Sequence, residues 1–276
     1  MQHISNMKKK IRNWLIILLM IYIVAGVLLY FFQDKLLFHP EPLPTNENYS
    51  FNVPFEERKV YYDSSTLFDI VRFKPSNDSI KKGAVIYFHG NMNNIQYYAP
   101  LANNFTRYGY EVWMMDYPGY GRSTGELTEE MLYTEADEVY QMVKAAGFSR
   151  DSIIIYGKSL GTGIATELAS KRNCKRLILE SPYYSIPNVA SHYAWMYPVE
   201  WISNFNIPTY EYIQKVIAPI TIFHGTEDET IPFSNTEKLQ SLLKPKDEII
   251  KIDGGEHNGL TDFPLMKEKL DSLLSK

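Results

Sequence analysis

The sequence predicts an α/β fold in which a mostly parallel eight-stranded sheet is covered by helices on both faces. From about residue 58, short runs rich in Val, Ile, Tyr and Phe alternate with longer stretches of helical periodicity. The first two runs are consecutive and are separated by Asp63–Thr66, which indicates an antiparallel hairpin. The later runs alternate with helices, and this arrangement favours parallel strands. A long apolar segment before residue 33 predicts one transmembrane helix ahead of this domain.

Composition excludes several classes of protein. The chain has 276 residues, a net charge of −4 and 45% hydrophobic residues, so it can bury a large core. Residues 1–32 contain four of the 28 basic residues and no acidic ones, which leaves 24 basic and 32 acidic residues, a net charge of −8, for the rest. A folded part this acidic argues against nucleic-acid binding, because phosphate neutralisation requires clustered Lys and Arg. Cys174 is the only cysteine, which excludes an intrachain disulfide and a cysteine-based zinc cluster.

Residues 14–32 form an uncharged apolar run of 19 residues. At about 1.5 Å per residue the run spans roughly 30 Å, the thickness of a bilayer's hydrocarbon core. Four basic residues lie just before it and only Lys35 follows closely, so the positive-inside rule predicts a cytoplasmic N-terminus and an extracytoplasmic domain. A cleaved signal peptide is the first alternative, but it has a shorter apolar region and a small-residue cleavage site. A buried soluble helix is the second, and an all-round apolar helix of this length is rare in a small domain.

Three regions are therefore predicted. Residues 1–32 are the cytoplasmic N-terminus and membrane anchor, residues 33–57 are a proline-rich linker or a strap on the domain surface, and residues 58–276 are the α/β domain. The predicted strands are Lys59–Tyr62, Phe68–Phe73, Ala84–Phe88, Glu111–Met115, Ser152–Tyr156, Leu177–Glu180, Ile220–Phe223 and Glu248–Ile252. The predicted helices cover about 94–107, 128–146, 160–172, 235–243 and 264–275. Residues 182–218, rich in aromatic residues and proline, break the alternation and predict an inserted cap.

Ser159 is the predicted nucleophile. It stands in Gly157-Lys158-Ser159-Leu160-Gly161, directly between a predicted strand and a predicted helix. In this strand–turn–helix context, G-x-S-x-G holds a serine hydroxyl exposed on a strained turn. Glycines two residues to either side are needed because larger side chains would collide with the strand and the helix. The alternative interpretation is an ordinary strand-to-helix turn.

His257 is the predicted general base, since a serine hydroxyl is a weak nucleophile until a base takes its proton. It lies in a glycine-containing loop between the last strand and the last helix. From there an imidazole can reach over the carboxyl edge of the sheet to Ser159. His89 and His224 each precede a glycine directly after a strand, so we expect them to pack and to form hydrogen bonds within their loops.

Asp228 is the predicted acid that fixes the tautomer of the base and stabilises the imidazolium. It follows the seventh predicted strand, and its neighbours Glu227 and Glu229 are interpreted as solvated. Glu180, at the end of the preceding strand, is a second contender.

Two backbone N–H groups are predicted to form the oxyanion hole. One is that of Leu160, the residue after the nucleophile. The other is that of Asn91 in the loop after the third strand, where Gly90 lets the backbone approach closely. The N–H of Met92 is the alternative to that of Asn91.

Several motifs together resemble the α/β-hydrolase superfamily, and most closely its membrane-anchored branch, the alpha/beta hydrolase domain-containing serine hydrolases. They are His89-Gly90-Asn91, Asp116-Tyr117-Pro118-Gly119-Tyr120-Gly121-Arg122-Ser123, Gly157-Lys158-Ser159-Leu160-Gly161, Glu180-Ser181-Pro182, His224-Gly225-Thr226-Glu227-Asp228 and Gly255-Glu256-His257. The resemblance covers roughly residues 30–275. It implies the α/β-hydrolase fold and hydrolysis of an ester, thioester or amide through an acyl-enzyme, with no metal or organic cofactor.

A small acyl ester or a lipid is the expected substrate, since an anchor in the bilayer would hold the site near lipids. We hypothesise that cap aromatics line an apolar acyl pocket, and packing of the cap onto the sheet is the equal alternative. The candidates are Tyr183, Tyr184, Trp195, Tyr197 and Trp201. Two other functions compete with an esterase: a peptidase of the prolyl-oligopeptidase type and a catalytically inactive, membrane-anchored binding protein.

Overall fold

The computed structural model describes residues 2–44, 49–75 and 81–275. Within these residues, eight strands form one mixed sheet. They are β1 Phe55–Tyr61, β2 Leu67–Phe73, β3 Gly83–Phe88, β4 Tyr110–Asp116, β5 Ile153–Lys158, β6 Arg176–Glu180, β7 Ile220–Gly225 and β8 Glu248–Ile252. Their order in the sheet is β8-β7-β6-β5-β3-β4-β2-β1. Strand β2 runs antiparallel to β1 and to β4, which confirms the predicted hairpin, and the other neighbouring pairs are parallel.

Helices cover both faces of this sheet. Every residue of the central strand β3 is buried, and its side chains divide between two hydrophobic clusters because successive side chains point to opposite faces. Ile86 belongs to the cluster under helices Glu129–Ala145, Leu160–Lys171 and Ser234–Gln240. Val85 belongs to the other cluster, under the C-terminal helix Pro264–Ser275.

One predicted helix is broken. The stretch predicted at about 94–107 consists of the short helical turns Ile95–Tyr98, Ala99–Ala102 and Asn103–Thr106. Pro100 lies in the middle of this stretch, and its missing N–H and fixed ring interrupt a regular α-helix. The ends of the other predicted helices agree with the structure to within three residues.

The N-terminal helix is longer than predicted, because it runs from Gln2 to Leu37. The charged and polar residues that flank the apolar run include no Pro or Gly, so nothing in them ends the helix. An 18-residue window within its part from Asn6 to Leu37 has a mean hydropathy of 2.9, so this part is long and apolar enough to cross a membrane. We call Gln2–Leu37 the anchor helix.

The segment after the anchor helix lies on the domain. Phe38 is buried and its ring packs 4.6 Å, centroid to centroid, from that of Phe205. His39–Pro40 then pairs with Met92–Asn93 as a two-residue parallel ladder. Residues 45–48 of the predicted strap lie outside the described part of the chain.

The cap, residues 182–218, contains the short helices Ile186–Tyr193, Val199–Ile202 and Thr209–Ile213. The first of them is capped by Ser185, whose hydroxyl accepts a hydrogen bond from the N–H of Asn188. The segment rejoins the sheet at β7.

Candidate active site

Ser159 occupies the sharp turn between β5 and helix Leu160–Lys171. Its φ of 51° lies in the left-handed region, a strained conformation for a non-glycine residue. A Cβ on Gly157 would lie 2.4 Å from the carbonyl oxygen of Gly161, and one on Gly161 would lie 2.2 Å from that of Phe88. Only glycine fits at both positions, which is the steric reason for the spacing of the motif.

The loops after β5, β7 and β8 bring Ser159, Asp228 and His257 together. The Nε2 atom of His257 is 2.9 Å from the Oγ of Ser159, and its Nδ1 atom is 2.8 Å from the Oδ2 of Asp228. A carboxylate accepts a hydrogen bond, so Nδ1 carries the proton and Nε2 is left to accept the serine proton. The His257 side chain is 13% exposed, which leaves it accessible to a bound substrate.

The carboxylate of Asp228 is held from both sides. Its Oδ1 accepts hydrogen bonds from the backbone N–H groups of Thr230 (3.0 Å) and Ile231 (2.7 Å). Burial alone raises the pKa of Asp228, but hydrogen bonds from His224, His257 and Ile231 outweigh it and hold the pKa well below its ordinary value. A carboxylate that stays ionised beside His257 is suited to stabilising an imidazolium.

The two histidines that precede glycines are buried within their loops. His224 Nε2 donates to the carbonyl of Ile231 (2.8 Å), which leaves Nδ1 to accept from the hydroxyl of Thr236 (2.6 Å). His224 Nε2 also lies 3.3 Å from the Oδ2 of Asp228. His89 is fully buried, and its Nδ1 lies 2.7 Å from the carbonyl oxygen of Gly90.

Glu180, the second contender for the acid, is engaged elsewhere. Its carboxylate accepts hydrogen bonds from the ammonium of Lys158 and the hydroxyl of Tyr156. Lys158 also donates to the backbone carbonyl of His257 at 3.3 Å. The contact between Lys158 and the His257 loop depends on tertiary structure, because the two residues are 99 positions apart in the sequence.

The two predicted oxyanion donors are the N–H groups of Leu160, which follows Ser159, and of Asn91, which follows Gly90. Leu160 is the first residue of its helix, so its N–H has no intrahelical acceptor. A Cβ on Gly90 would lie 3.6 Å from the Cβ of Ser159, so the backbone just before Asn91 lies close to Ser159. The Asn91 backbone is held in place, because its carbonyl accepts hydrogen bonds from the backbone N–H of His39 (2.9 Å) and from the hydroxyl of Tyr120 (2.7 Å).

The cap aromatics that we named as pocket candidates lie in different surroundings. Tyr183 is 1% exposed and donates to the carbonyl of Leu160 at 3.0 Å, so it packs in the core rather than lining an open pocket. The ring of Tyr184 stacks on that of Tyr210. The ring of Tyr197 stacks on Tyr22 of the anchor helix.

Trp195 and Trp201 are 76% and 88% exposed, so they too provide no enclosed pocket. These contacts favour the packing alternative for the three tyrosines, and the acyl pocket stays a prediction. The sequence could not distinguish these roles, because Tyr and Trp side chains occur both in protein cores and at protein surfaces.

Another cap residue reaches the candidate site. The Tyr193 hydroxyl lies 2.7 Å from the carbonyl oxygen of Glu229 and 3.0 Å from that of Thr230. Since these residues follow Asp228 directly, Tyr193 connects the cap to the loop that carries Asp228.

No group of three or more His, Cys, Asp or Glu side chains within the described ranges is arranged to hold a metal ion.

Comparison with known proteins finds similarity to a family model, to curated relatives and to solved structures. A family model described as serine aminopeptidase, S33, matches residues 79–212. Alpha/beta hydrolase domain-containing protein 17C of Mus musculus is 29% identical over 215 residues, which cover 74% of this chain and 62% of the mouse protein. The Xenopus tropicalis protein of the same name is 29% identical over 201 residues, 69% of this chain and 61% of its own length. The chain thus matches less than two thirds of the length of these relatives.

Solved structures share the fold. An esterase from Pyrococcus furiosus has a TM-score of 0.67 and 16% identity, with 86% of this chain and 96% of the esterase covered. Mouse alpha/beta hydrolase domain-containing protein 10 has a TM-score of 0.59 and 18% identity, with 79% and 98% covered. Together with the strand order, these likenesses show that the chain has the α/β-hydrolase fold.

Proposed function

We propose that the chain is a serine hydrolase that cleaves carboxylic ester or thioester bonds through an acyl-serine intermediate. One observation carries the proposal: an unbroken hydrogen-bonded chain from the Ser159 hydroxyl through His257 to Asp228, with distances of 2.9 and 2.8 Å. A nucleophile, a base with the correct nitrogen free and an ionised acid are what acyl transfer requires.

The reaction begins when His257 Nε2 takes the Ser159 proton as the oxygen attacks the substrate carbonyl carbon. The resulting oxyanion is stabilised by the backbone N–H groups of Leu160 and Asn91, and one such donor contributes about 3–4 kcal/mol. His257 then gives its proton to the leaving alcohol or thiol, and the acyl group remains on Ser159. A water molecule repeats the sequence to release the acid.

Lipid-like or acylated substrates are favoured because we also propose that the anchor helix crosses the membrane. The basic cluster before the apolar run supports a cytoplasmic N-terminus and an extracytoplasmic catalytic domain. In that topology the mouth of the site stands close to a bilayer surface, where acyl chains are concentrated.

Amide hydrolysis is the second candidate. The match to a family model described as serine aminopeptidase, S33, supports it, and the same three residues can attack a peptide carbonyl. An amine is a poorer leaving group than an alcohol or thiol, so proton delivery by His257 would limit this reaction more strongly.

Substrate panels separate these functions. Full-length protein in detergent micelles is assayed with p-nitrophenyl esters from acetyl to palmitoyl, an acyl thioester and an aminoacyl p-nitroanilide. We expect the esters and the thioester to be hydrolysed, with loss of at least about 10³-fold in Ser159→Ala and no loss in the control Ser149→Ala, which changes an exposed serine. A preference for the anilide would favour the peptidase. A steep preference for acetyl would count against long acyl substrates, and inactivity of folded protein would favour a binding function.

A further inference from the structure

The tip of the cap, defined here as residues 193–204, packs against the middle of the anchor helix. The rings of Tyr22 and Tyr197 stack with centroids 4.7 Å apart and planes 5° apart. The Tyr22 hydroxyl donates to the carbonyl of Met196 at 2.8 Å, and the Tyr197 hydroxyl donates to the carbonyl of Tyr22 at 3.1 Å. A Cβ on Gly26 would lie 2.9 Å from the Tyr197 ring, so the helix backbone is approached closely here.

A second set of contacts fixes the same two elements nearer the domain. Gln33 donates from Nε2 to the carbonyl of Ile202 at 2.9 Å and accepts from the N–H of Asn204 at 2.7 Å. The Asn204 amide also lies 3.2 Å from an oxygen of Asp34. Contacts from Tyr22 to Asp34 hold the cap tip along the second half of the anchor helix rather than at its end.

Depth follows from helix geometry. Tyr22 precedes Phe32, the end of the apolar run, by ten residues, which is about 15 Å along the helix axis. That is about half of a hydrocarbon core of roughly 30 Å. If the apolar run spans an upright bilayer, Tyr197 is carried below the membrane surface together with its stacking partner, and tilting reduces this depth without removing it.

The exposed chemistry of the tip suits that location. Trp195, Met196 and Trp201 are 76%, 55% and 88% exposed. Indole and thioether side chains present large apolar surfaces, whose transfer from water into lipid is favourable. Glu200 is the only charged residue in the sequence from 193 to 204. An apolar cavity of about 360 Å³ lies between the tip and the anchor helix, lined among others by Tyr30 and Pro198.

We propose that residues 193–204 are a second membrane-contacting surface, which enters the same leaflet as the C-terminal half of the anchor helix and contacts lipid. The proposal rests on the membrane anchoring proposed above. Lipid is the favoured occupant because the tip continues the surface of a helix whose own apolar side chains are exposed along its length.

The inserted tip is joined to the candidate site. Tyr193, at its start, bonds to the carbonyls of Glu229 and Thr230, next to Asp228.

The test uses full-length protein with one fluorophore at a time. Cys174, the only native cysteine, is replaced by serine, and single cysteines are introduced as Trp195→Cys, Trp201→Cys, Val24→Cys and Ile217→Cys. Val24 is 54% exposed on the anchor helix. Ile217 is the matched control, since it is apolar and 77% exposed but lies just before the amino end of β7, away from the edge that carries the site.

Labelled proteins are reconstituted into phosphatidylcholine vesicles, and quenching by nitroxide-labelled lipid is compared with quenching by aqueous iodide. We expect labels at 24, 195 and 201 to be quenched by the lipid, with iodide quenching on the order of tenfold weaker than at 217, because hydrocarbon excludes ions. Circular dichroism verifies that each variant is folded, and replacing the two exposed tryptophans removes no buried contact.

Three other results would overturn the proposal. If 195 and 201 behave as 217 does while 24 stays lipid-quenched, the cap tip is in water and only the anchoring proposal survives. If 24 is also quenched by iodide, both proposals fail. If 195 and 201 are shielded from both quenchers, a protein partner or a second copy of the chain covers the tip.

Discussion

Removing the ammonium of Lys158 tests how the turn at Ser159 is connected to the His257 loop. Lys158 and Glu180 form a buried ion pair, with side chains 8% and 2% exposed. In Lys158→Met the carboxylate of Glu180 keeps only the hydroxyl of Tyr156 among the two donors seen in the structure. Breaking a buried pair by removing one partner costs about 3–5 kcal/mol, so we expect a loss of that size in the free energy of unfolding.

A double variant separates folding from catalysis. Lys158→Met with Glu180→Gln removes both charges, and we expect its free energy of unfolding to return to within about 1 kcal/mol of wild type. It still lacks the 3.3 Å hydrogen bond to the His257 carbonyl. A long hydrogen bond from a charged donor contributes about 1.4 kcal/mol, so kcat/KM should fall about tenfold in a protein that is otherwise stable.

Urea unfolding in detergent micelles and hydrolysis of p-nitrophenyl acetate measure the two quantities. Arg107→Met is the control, because the Arg107–Asp271 pair is exposed and contributes less than about 1 kcal/mol. The reasoning is refuted if Lys158→Met is as stable as wild type, or if the double variant is as unstable as the single one. Wild-type kcat/KM in the double variant would remove the proposed link to His257.

Four further predictions follow from named contacts. Asp228→Asn should lower kcat/KM by about 10³–10⁴-fold in an ester assay, because the tautomer of the histidine is no longer fixed. Since its folded-state pKa is lowered, Asp228 contributes stability above about pH 4 that is lost as the pH falls further, so urea midpoints from pH 2 to 6 should vary less in Asp228→Asn. Gly161→Ala should prevent accumulation of folded protein, because its Cβ would lie 2.2 Å from the Phe88 carbonyl oxygen. Gly26→Leu should displace the Tyr197 ring and increase protease cleavage within the cap, while short-ester hydrolysis persists.

The sheet could be predicted from the sequence, and so could the meeting of Ser159, Asp228 and His257 at its edge, because both depend on local signals. Alternation of strands and helices predicts parallel strands, and parallel strands place their carboxyl ends at one edge. Ser159 follows β5 directly, and Asp228 and His257 lie three and five residues after the ends of β7 and β8, so the order of strands and loops is enough to predict that they meet.

The packing of the cap and the contacts around the three site residues could not be predicted in this way. The aromatic residues of the cap divide between the core, the anchor helix and the exposed surface according to tertiary packing, which composition does not encode. The contact between Lys158 and the His257 carbonyl joins residues 99 positions apart. The break at Pro100 could have been predicted, because proline interrupts a helix. The helical periodicity of the residues around it nevertheless led us to predict one continuous helix.

Covalent labelling of Ser159 tests the central claim most directly. Full-length protein is treated with a fluorophosphonate, digested and mapped by mass spectrometry. The account predicts one adduct, on Ser159, that is absent in Ser159→Ala and forms at least about 10³-fold more slowly in His257→Ala, because the base that activates the hydroxyl is gone. Labelling that persists in Ser159→Ala, or folded wild-type protein that takes up no label, would contradict it.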